Sequence, residues 1–210
     1  MPVSAQGPAL WLVRHAQPLI APGVCYGQLD VPADPSATLQ AALRLAPQLP
    51  RSLVARHSPL QRCELLALAV QGLEANLTAD MRLQEMDFGV WEGQAWNAID
   101  RAQMDAWSND LYRYAPGGGE SLSAMLQRVR AVLLDSWRHD SQQGQRDVVW
   151  VTHAGVIRCA QWLLRYGQAQ PRAQDWSLPA PGFGQWYSVP WRSMVPALHS
   201  LSALPATPKV

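Results

Sequence analysis

An arginine and a histidine stand together at Arg14-His15, at the end of the apolar run Leu10-Trp11-Leu12-Val13. A second histidine, His153, ends a second run, Val148-Val149-Trp150-Val151-Thr152. A neutral imidazole nitrogen is a competent nucleophile toward phosphorus. The phosphoryl group it attacks carries charge on peripheral oxygens, and the planar fork of an arginine matches that geometry. Arg14 beside His15 therefore has a chemical task if the substrate is a phosphate ester. As an imidazolium, His153 would hold a phosphate oxygen or the leaving group. It precedes Ala154-Gly155 and a helical pattern, whose first backbone N–H groups are expected to point at the same anion.

Two further residues fit that chemistry. Arg62 falls in the first turns of a helix opened by Pro59, where a cation opposes the helix dipole and a bound anion gives it a reason. Glu85 is a carboxyl group able to protonate a departing alkoxide. Each also has an ordinary reading: a buried strand-end histidine, a solvated helix face, a surface glutamate. Arg56-His57 repeats the Arg14-His15 pair after a weaker strand pattern and is the pair most easily confused with it. The chain has no G-x-S-x-G, G-x-x-x-x-G-K-[ST] or H-E-x-x-H sequence, and its five histidines lack metal-ligand spacing. Neither a metal nor a cofactor is implied.

The elements that must position these residues follow from periodicity. Both histidine-tipped runs lack polar alternation, as expected of strands covered on both faces. In open α/β sheets ligands bind at the carboxyl ends of strands, where both histidines arrive. Residues 9–14 read as a strand, followed by a long loop to Ser36. Helical spacing runs from Thr38 to Pro50. A short strand at 52–55 and a helix from Pro59 to Gly72 come next, then a strand at 77–81. Residues 84–94 read as a loop, 95–107 as a weaker helix, and Gly117-Gly118-Gly119 as a flexible hinge. Leu122, Met125, Leu126, Val129, Val132, Leu133 and Trp137 mark a strong amphipathic helix. Strand 148–151, helix 155–166 and edge strands at 185–189 and 195–201 complete the pattern. Alternating strands and helices predict a single three-layer α/β/α domain over residues 1–210, with a mostly parallel sheet and a C-terminal edge segment at 171–210.

A chain of 210 residues with net charge +1 offers no general pull toward nucleic acid or membrane. The three cysteines, an odd number without a C-x-x-C, suit a reducing cytoplasm. No signal peptide or transmembrane run is visible. Among ten tryptophans, Trp91, Trp96 and Trp107 lie among polar residues and read as a pocket wall for an apolar or aromatic group.

Taken in order, Leu12-Val13-Arg14-His15-Ala16, residues 58–63, residues 83–93, Gly118-Gly119-Glu120-Ser121 and residues 151–158 resemble the ordered motifs of the histidine phosphatase, or phosphoglycerate-mutase-like, superfamily. The resemblance spans residues 10 to about 165. It implies that His15 becomes a phosphohistidine and that Arg14, Arg62 and His153 clamp the phosphoryl oxygens, with Ala154 beside them. It implies that Glu85 protonates the leaving oxygen and then activates water, with no metal. The loop at residues 23–32 and the stretch 88–93 are similar to the α-ribazole phosphatases of cobalamin assembly. That likeness implies a small phosphorylated metabolite as partner and a substrate pocket holding Tyr26, Gly27 and Trp91, with Trp91 and Trp96 facing the benzimidazole ring. Ala16 stands where the family has glycine, Ala21 where many members have asparagine, and Leu66 where a threonine is familiar. The missing asparagine and the compact length disfavour a mutase. A broad-specificity sugar-phosphate or nucleotide phosphatase and a non-catalytic phosphate-binding module are the alternatives. The second is disfavoured because binding alone needs neither nucleophile nor proton donor.

Overall fold

The computed structural model describes residues 7–203 except 72, 74 and 75. Five strands form one sheet: β1 (Ala9–Arg14), β2 (Leu53–His57), β3 (Leu77–Ala79), β4 (Asp147–Thr152) and β5 (Trp186–Pro190), in the order β3-β2-β4-β1-β5. The first four run parallel, and β5 pairs antiparallel with β1 at one edge. The helices are α1 (Pro35–Leu45), α2 (Gln61–Ala69), α3 (Arg101–Asn109), α4 (Leu122–Asp135), α5 (Ala154–Tyr166) and α6 (Trp191–Ser202).

β1 and β4 are apolar without alternation because helices cover both their faces. Leu10, Leu12, Val148 and Trp150 pack into one core with α4, α5 and α6. Val13, Val149 and Val151 point the other way, into a second core with α1 and α2. The expected three-layer α/β/α arrangement is therefore present. Helix starts follow capping chemistry: Asp34 accepts the Ala37 N–H at 2.7 Å ahead of Pro35, and Ser121 accepts the Ala124 N–H at 3.2 Å.

The structure departs from the sequence reading in four places. Residues 195–201 are not an edge strand but lie within α6, where Trp191, Met194, Leu198 and Leu201 are buried at helical spacing and outweigh the signals of Val195 and Pro196. The predicted helix at 95–107 divides into a 3₁₀ turn at Trp96–Ala98 and α3, which Asp100 caps by accepting the Ala102 N–H at 2.8 Å. α2 ends at Ala69; Gly72, the predicted end, lies outside the described residues. The three-glycine run is a tight contact rather than a flexible hinge. Gly117 has φ +60°, and a Cβ there would sit 2.1 Å from the Phe88 carbonyl oxygen. The glycines let two backbone segments touch.

Register settles where the histidines go. Arg14 pairs with Thr152 across β1 and β4, so His15 and His153 leave the sheet side by side at its carboxyl edge. A partly buried ion network braces the neighbouring strand. Arg56 of β2 donates to Asp140 at 2.5 and 2.9 Å and to Asp80 at 2.7 Å, while Arg82 bonds Asp80 and Asp135. Burial alone would raise the Asp80 pKa, but the bonds from Arg82 and Arg56 outweigh it and hold it below the usual carboxylate range. The network's stabilisation is thus complete above the unfolded-state pKa and lost as pH falls toward the lower folded-state value. Asp80→Asn should cost about 1–2 kcal/mol in denaturant unfolding at neutral pH. That difference should shrink as pH drops below about 4.

Candidate active site

His15 is buried at the tip of β1, its ring centroid 5.1 Å from that of His153 in an edge-on arrangement. Its Nδ1 lies 2.7 Å from the Ala16 carbonyl oxygen. A carbonyl only accepts, so Nδ1 carries the hydrogen and Nε2 keeps its lone pair. Burial, then the charges of Arg62 and Arg14, push the pKa of His15 down to about 3 against the opposing bond to Ala16. The imidazole is neutral, with its lone pair on Nε2.

Two arginines flank it. Arg14 is partly buried; its Nη1 donates to the Pro181 carbonyl at 3.1 Å, and its guanidinium lies 3.8 Å above the Phe183 ring. Arg62, on the first turn of α2, is fully buried and donates to the Leu29 carbonyl at 2.9 Å and the Gly27 carbonyl at 2.5 Å. These carbonyls help offset a cation that opposes its helix dipole. The Nε of each arginine is buried without a protein partner.

Glu85 is held by backbone. Its carboxylate accepts the Met86 N–H at 3.0 Å and the Gly155 N–H at 3.0 Å. A Cβ at Gly155 would sit 2.1 Å from Glu85 Oε1, so glycine is the residue that admits the carboxylate there. The loop carrying Glu85 is fastened to α4 by Arg128, which grips Glu120 at 2.6 and 2.7 Å and donates to the carbonyls of Arg82, Gln84 and Glu85. Glu92 ties the same loop to residues 27–29 by accepting the Gln28 and Leu29 N–H groups.

The structure brings Arg14, His15, Tyr26, Arg62, Glu85, His153 and Ala154 around one cavity of about 500 Å³. Phe88, Trp96, Trp107, Leu122, Met125 and Trp176 form an apolar wall of the same cavity. Four expectations change. Trp91 does not line the cavity; it is buried behind the wall, its Nε1 donating to Gln103 at 2.8 Å and its ring 5.8 Å from Trp107. Trp107 takes its place. Gly27 contributes a carbonyl to Arg62 rather than cavity surface, and a Cβ there would meet the Met86 carbonyl oxygen at 1.8 Å. The Gly155 N–H is taken by the Glu85 carboxylate rather than left for a bound phosphate. His153 is not an imidazolium: burial first, then Arg62 and His15, lower its pKa well below the usual value. Its Nε2 lies 2.8 Å from the Ser58 hydroxyl.

Sequence reasoning missed Arg158, Trp176 and Phe183. Arg158 lines the cavity one helical turn beyond Ala154, an i, i+4 spacing on α5 that placed both on one face. Phe183 carries no local signal, because its partners lie across the β1–β5 edge. Arg56-His57 is separated from the site by its bonds: Arg56 belongs to the ion network, and His57 Nδ1 lies 2.9 Å from the Ser58 carbonyl oxygen. Among the described residues, no group of three or more His, Cys, Asp or Glu side chains is placed to hold a metal, and no helix is long and apolar enough to cross a membrane.

Comparison with known proteins gives a consistent answer. Residues 10–194 match the histidine phosphatase superfamily (branch 1). A curated relative, putative phosphoserine phosphatase 2 of Hydrogenobacter thermophilus, is 29% identical over 161 residues, covering 74% of this chain and 77% of that protein. The native structure of a mycobacterial glucosyl-3-phosphoglycerate phosphatase superposes with TM-score 0.72 at 27% identity, covering 86% of this chain and 89% of that one. A phosphoglycerate mutase from Thermus thermophilus gives TM-score 0.63 at 30% identity, covering 87% and 93%.

The His15 geometry has a direct spectroscopic consequence. In ¹⁵N NMR, His15 should appear as the neutral Nδ1–H tautomer from about pH 8 down to about pH 5, where an ordinary histidine titrates. A midpoint near the ordinary value would contradict the burial and charge placement described.

Proposed function

The chain belongs to the histidine phosphatase superfamily and is a phosphoric monoester hydrolase; we propose that it works without a metal, through a phosphohistidine on His15. The observation that carries this reading is the neutral His15 Nε2 lone pair, set beside two arginines with buried, unpartnered Nε groups and a backbone-held carboxyl group. In the first step Nε2 attacks phosphorus and the bond to the leaving oxygen breaks. Glu85 gives that oxygen its proton. In the second step water attacks the phosphohistidine, Glu85 takes the water proton, and the P–N bond breaks to restore neutral His15. Arg14 and Arg62, whose Nε groups have no protein partner, hold the phosphoryl oxygens; Ala154 lies beside them. His153 contributes as a neutral ring, donating one N–H, with Ser58 fixing its orientation.

For the substrate, we favour a small metabolite with a flat apolar leaving group, α-ribazole 5′-phosphate of cobalamin assembly being the leading case. The wall of Phe88, Trp96, Trp107 and Trp176 supports it, and Tyr26 closes the arginine side. A broad-specificity phosphatase of sugar phosphates or nucleotides is the second reading; Arg158, a further cation in the cavity, favours a more polar substrate. The described cysteines, all buried and free, suit the reducing cytoplasm.

Rapid quenching with labelled substrate followed by peptide mapping should find the label on His15; label on His57 or nowhere would defeat the mechanism. His15→Ala should abolish turnover without unfolding the chain. Arg14→Ala and Arg62→Ala should each lower kcat by about 10²–10³-fold. Gly155→Ala, which pushes into the Glu85 carboxylate, should cost about a hundredfold in kcat with a nearly unchanged melting temperature. On a substrate panel, Trp96→Ala and Trp107→Ala should raise KM about tenfold for α-ribazole 5′-phosphate but not for small sugar phosphates. Equal effects on both would favour the broad-specificity reading.

A further inference from the structure

The segment at residues 181–185 lies beyond the motifs that carry the phosphatase chemistry, yet it grips the Arg14-His15 pair from the edge of the sheet. The Arg14 N–H donates to the Gln185 carbonyl at 3.0 Å, and the Gly184 N–H donates to the His15 carbonyl at 2.9 Å. Arg14 Nη1 reaches the Pro181 carbonyl at 3.1 Å. These three bonds fix the height of the intervening Phe183. Its ring lies 3.8 Å below the Arg14 guanidinium and 5.5 Å, centroid to centroid, from the His15 imidazole. Gly184 makes the turn at φ +64°, where a Cβ would meet that of Ala41 at 2.8 Å.

We propose that Phe183 is a positioning residue for phosphoryl transfer, setting the plane of the Arg14 guanidinium and shielding the His15 imidazole from water. An arginine stacked by its face on an aromatic ring keeps its N–H edges free for bonds in the guanidinium plane, which is how it meets a phosphate. The same ring excludes solvent from one side of His15. His153, ahead of α5, meets the ring edge-on, and Arg14 of β1, Tyr26 of the long loop, Arg62 of α2 and Glu85 of the 84–94 loop are the titratable groups that share its cavity. Removing the ring therefore affects both the arginine's aim and the protonation of the histidine. The role rests on the phosphatase mechanism proposed above, so the test includes a readout independent of turnover.

Phe183→Tyr, Phe183→Leu and Phe183→Ala would be compared by steady-state kinetics with p-nitrophenyl phosphate and by ¹⁵N NMR titration of His15. Tyr should keep kcat near wild type, because it retains the aromatic face. Leu, similar in bulk but without that face, should lose about tenfold in kcat. Ala should lose more, and its His15 midpoint should rise toward about 6.5 as water reaches the ring. Should Phe183→Ala fail to fold, Tyr against Leu decides: equal kcat in these two means that Phe183 only fills space, and the proposal fails. It fails equally if a folded Phe183→Ala leaves both kcat and the His15 midpoint unmoved. A wild-type protein inert toward every phosphomonoester, yet showing the His15 shift in Phe183→Ala, would overturn the phosphatase mechanism while supporting the shielding.

Discussion

The site depends on one pairing, the parallel ladder between β1 and β4. With Arg14 opposite Thr152, the next residue of each strand is a histidine, and the two rings meet 5.1 Å apart. A strand alternates its side chains, so a slip of one residue would turn every buried side chain of β1 to the opposite face. Leu10 and Leu12 on one side and Val13 on the other hold that register through two separate cores. The packing that stabilises the sheet is therefore also what aligns the proposed nucleophile with its partner.

Around that fixed pair, the other groups arrive on loops, and loops need anchors. Arg128 spends its donors on Glu120 and on three carbonyls of the stretch that carries Glu85. Gly27, Gly117 and Gly155 each sit where a side-chain carbon would collide with backbone or with Glu85. Close approach of main chain to main chain brings the carboxyl group and Arg62 to the histidines without long side chains having to span the gap. Aromatic side chains make up much of the cavity's opposite wall.

Much of this was legible in the sequence, and the limits are physical. Unbroken apolar runs ending in His15 and His153 pointed to two inner strands, being short, rich in Val and Trp, and without the polar alternation of a half-exposed strand. The helix spacing of Leu122 to Leu133 identified α4. Ordered motifs supplied Arg62 and Glu85, whose local surroundings alone left a solvated role open. What stayed hidden depends on distant partners. Trp91 and Trp107 look alike in sequence; the contact with Gln103 buries the first, and the second reaches the cavity. His15 and His57 share the same local bond, Nδ1 to the next carbonyl, and differ only in what the rest of the chain brings beside them. The helix at 191–202 was obscured by Val195 and Pro196, although its buried side chains keep a helical period.

The pairing of β5 with β1 has a consequence for synthesis. β1 is made before β5 and its preceding 181–185 segment, and the contact between them closes a loop from Arg14 to Gln185. The entropic cost of so long a closure grows only slowly with length. The timing is the larger effect: α1 to α5 and four strands can assemble while Arg14 and His15 are still uncovered on one side. A nascent chain stopped short of residue 181 would then carry the motifs and the sheet centre but an open site. In that order of events, His15 stays open on its Phe183 side until the 181–185 segment is in place.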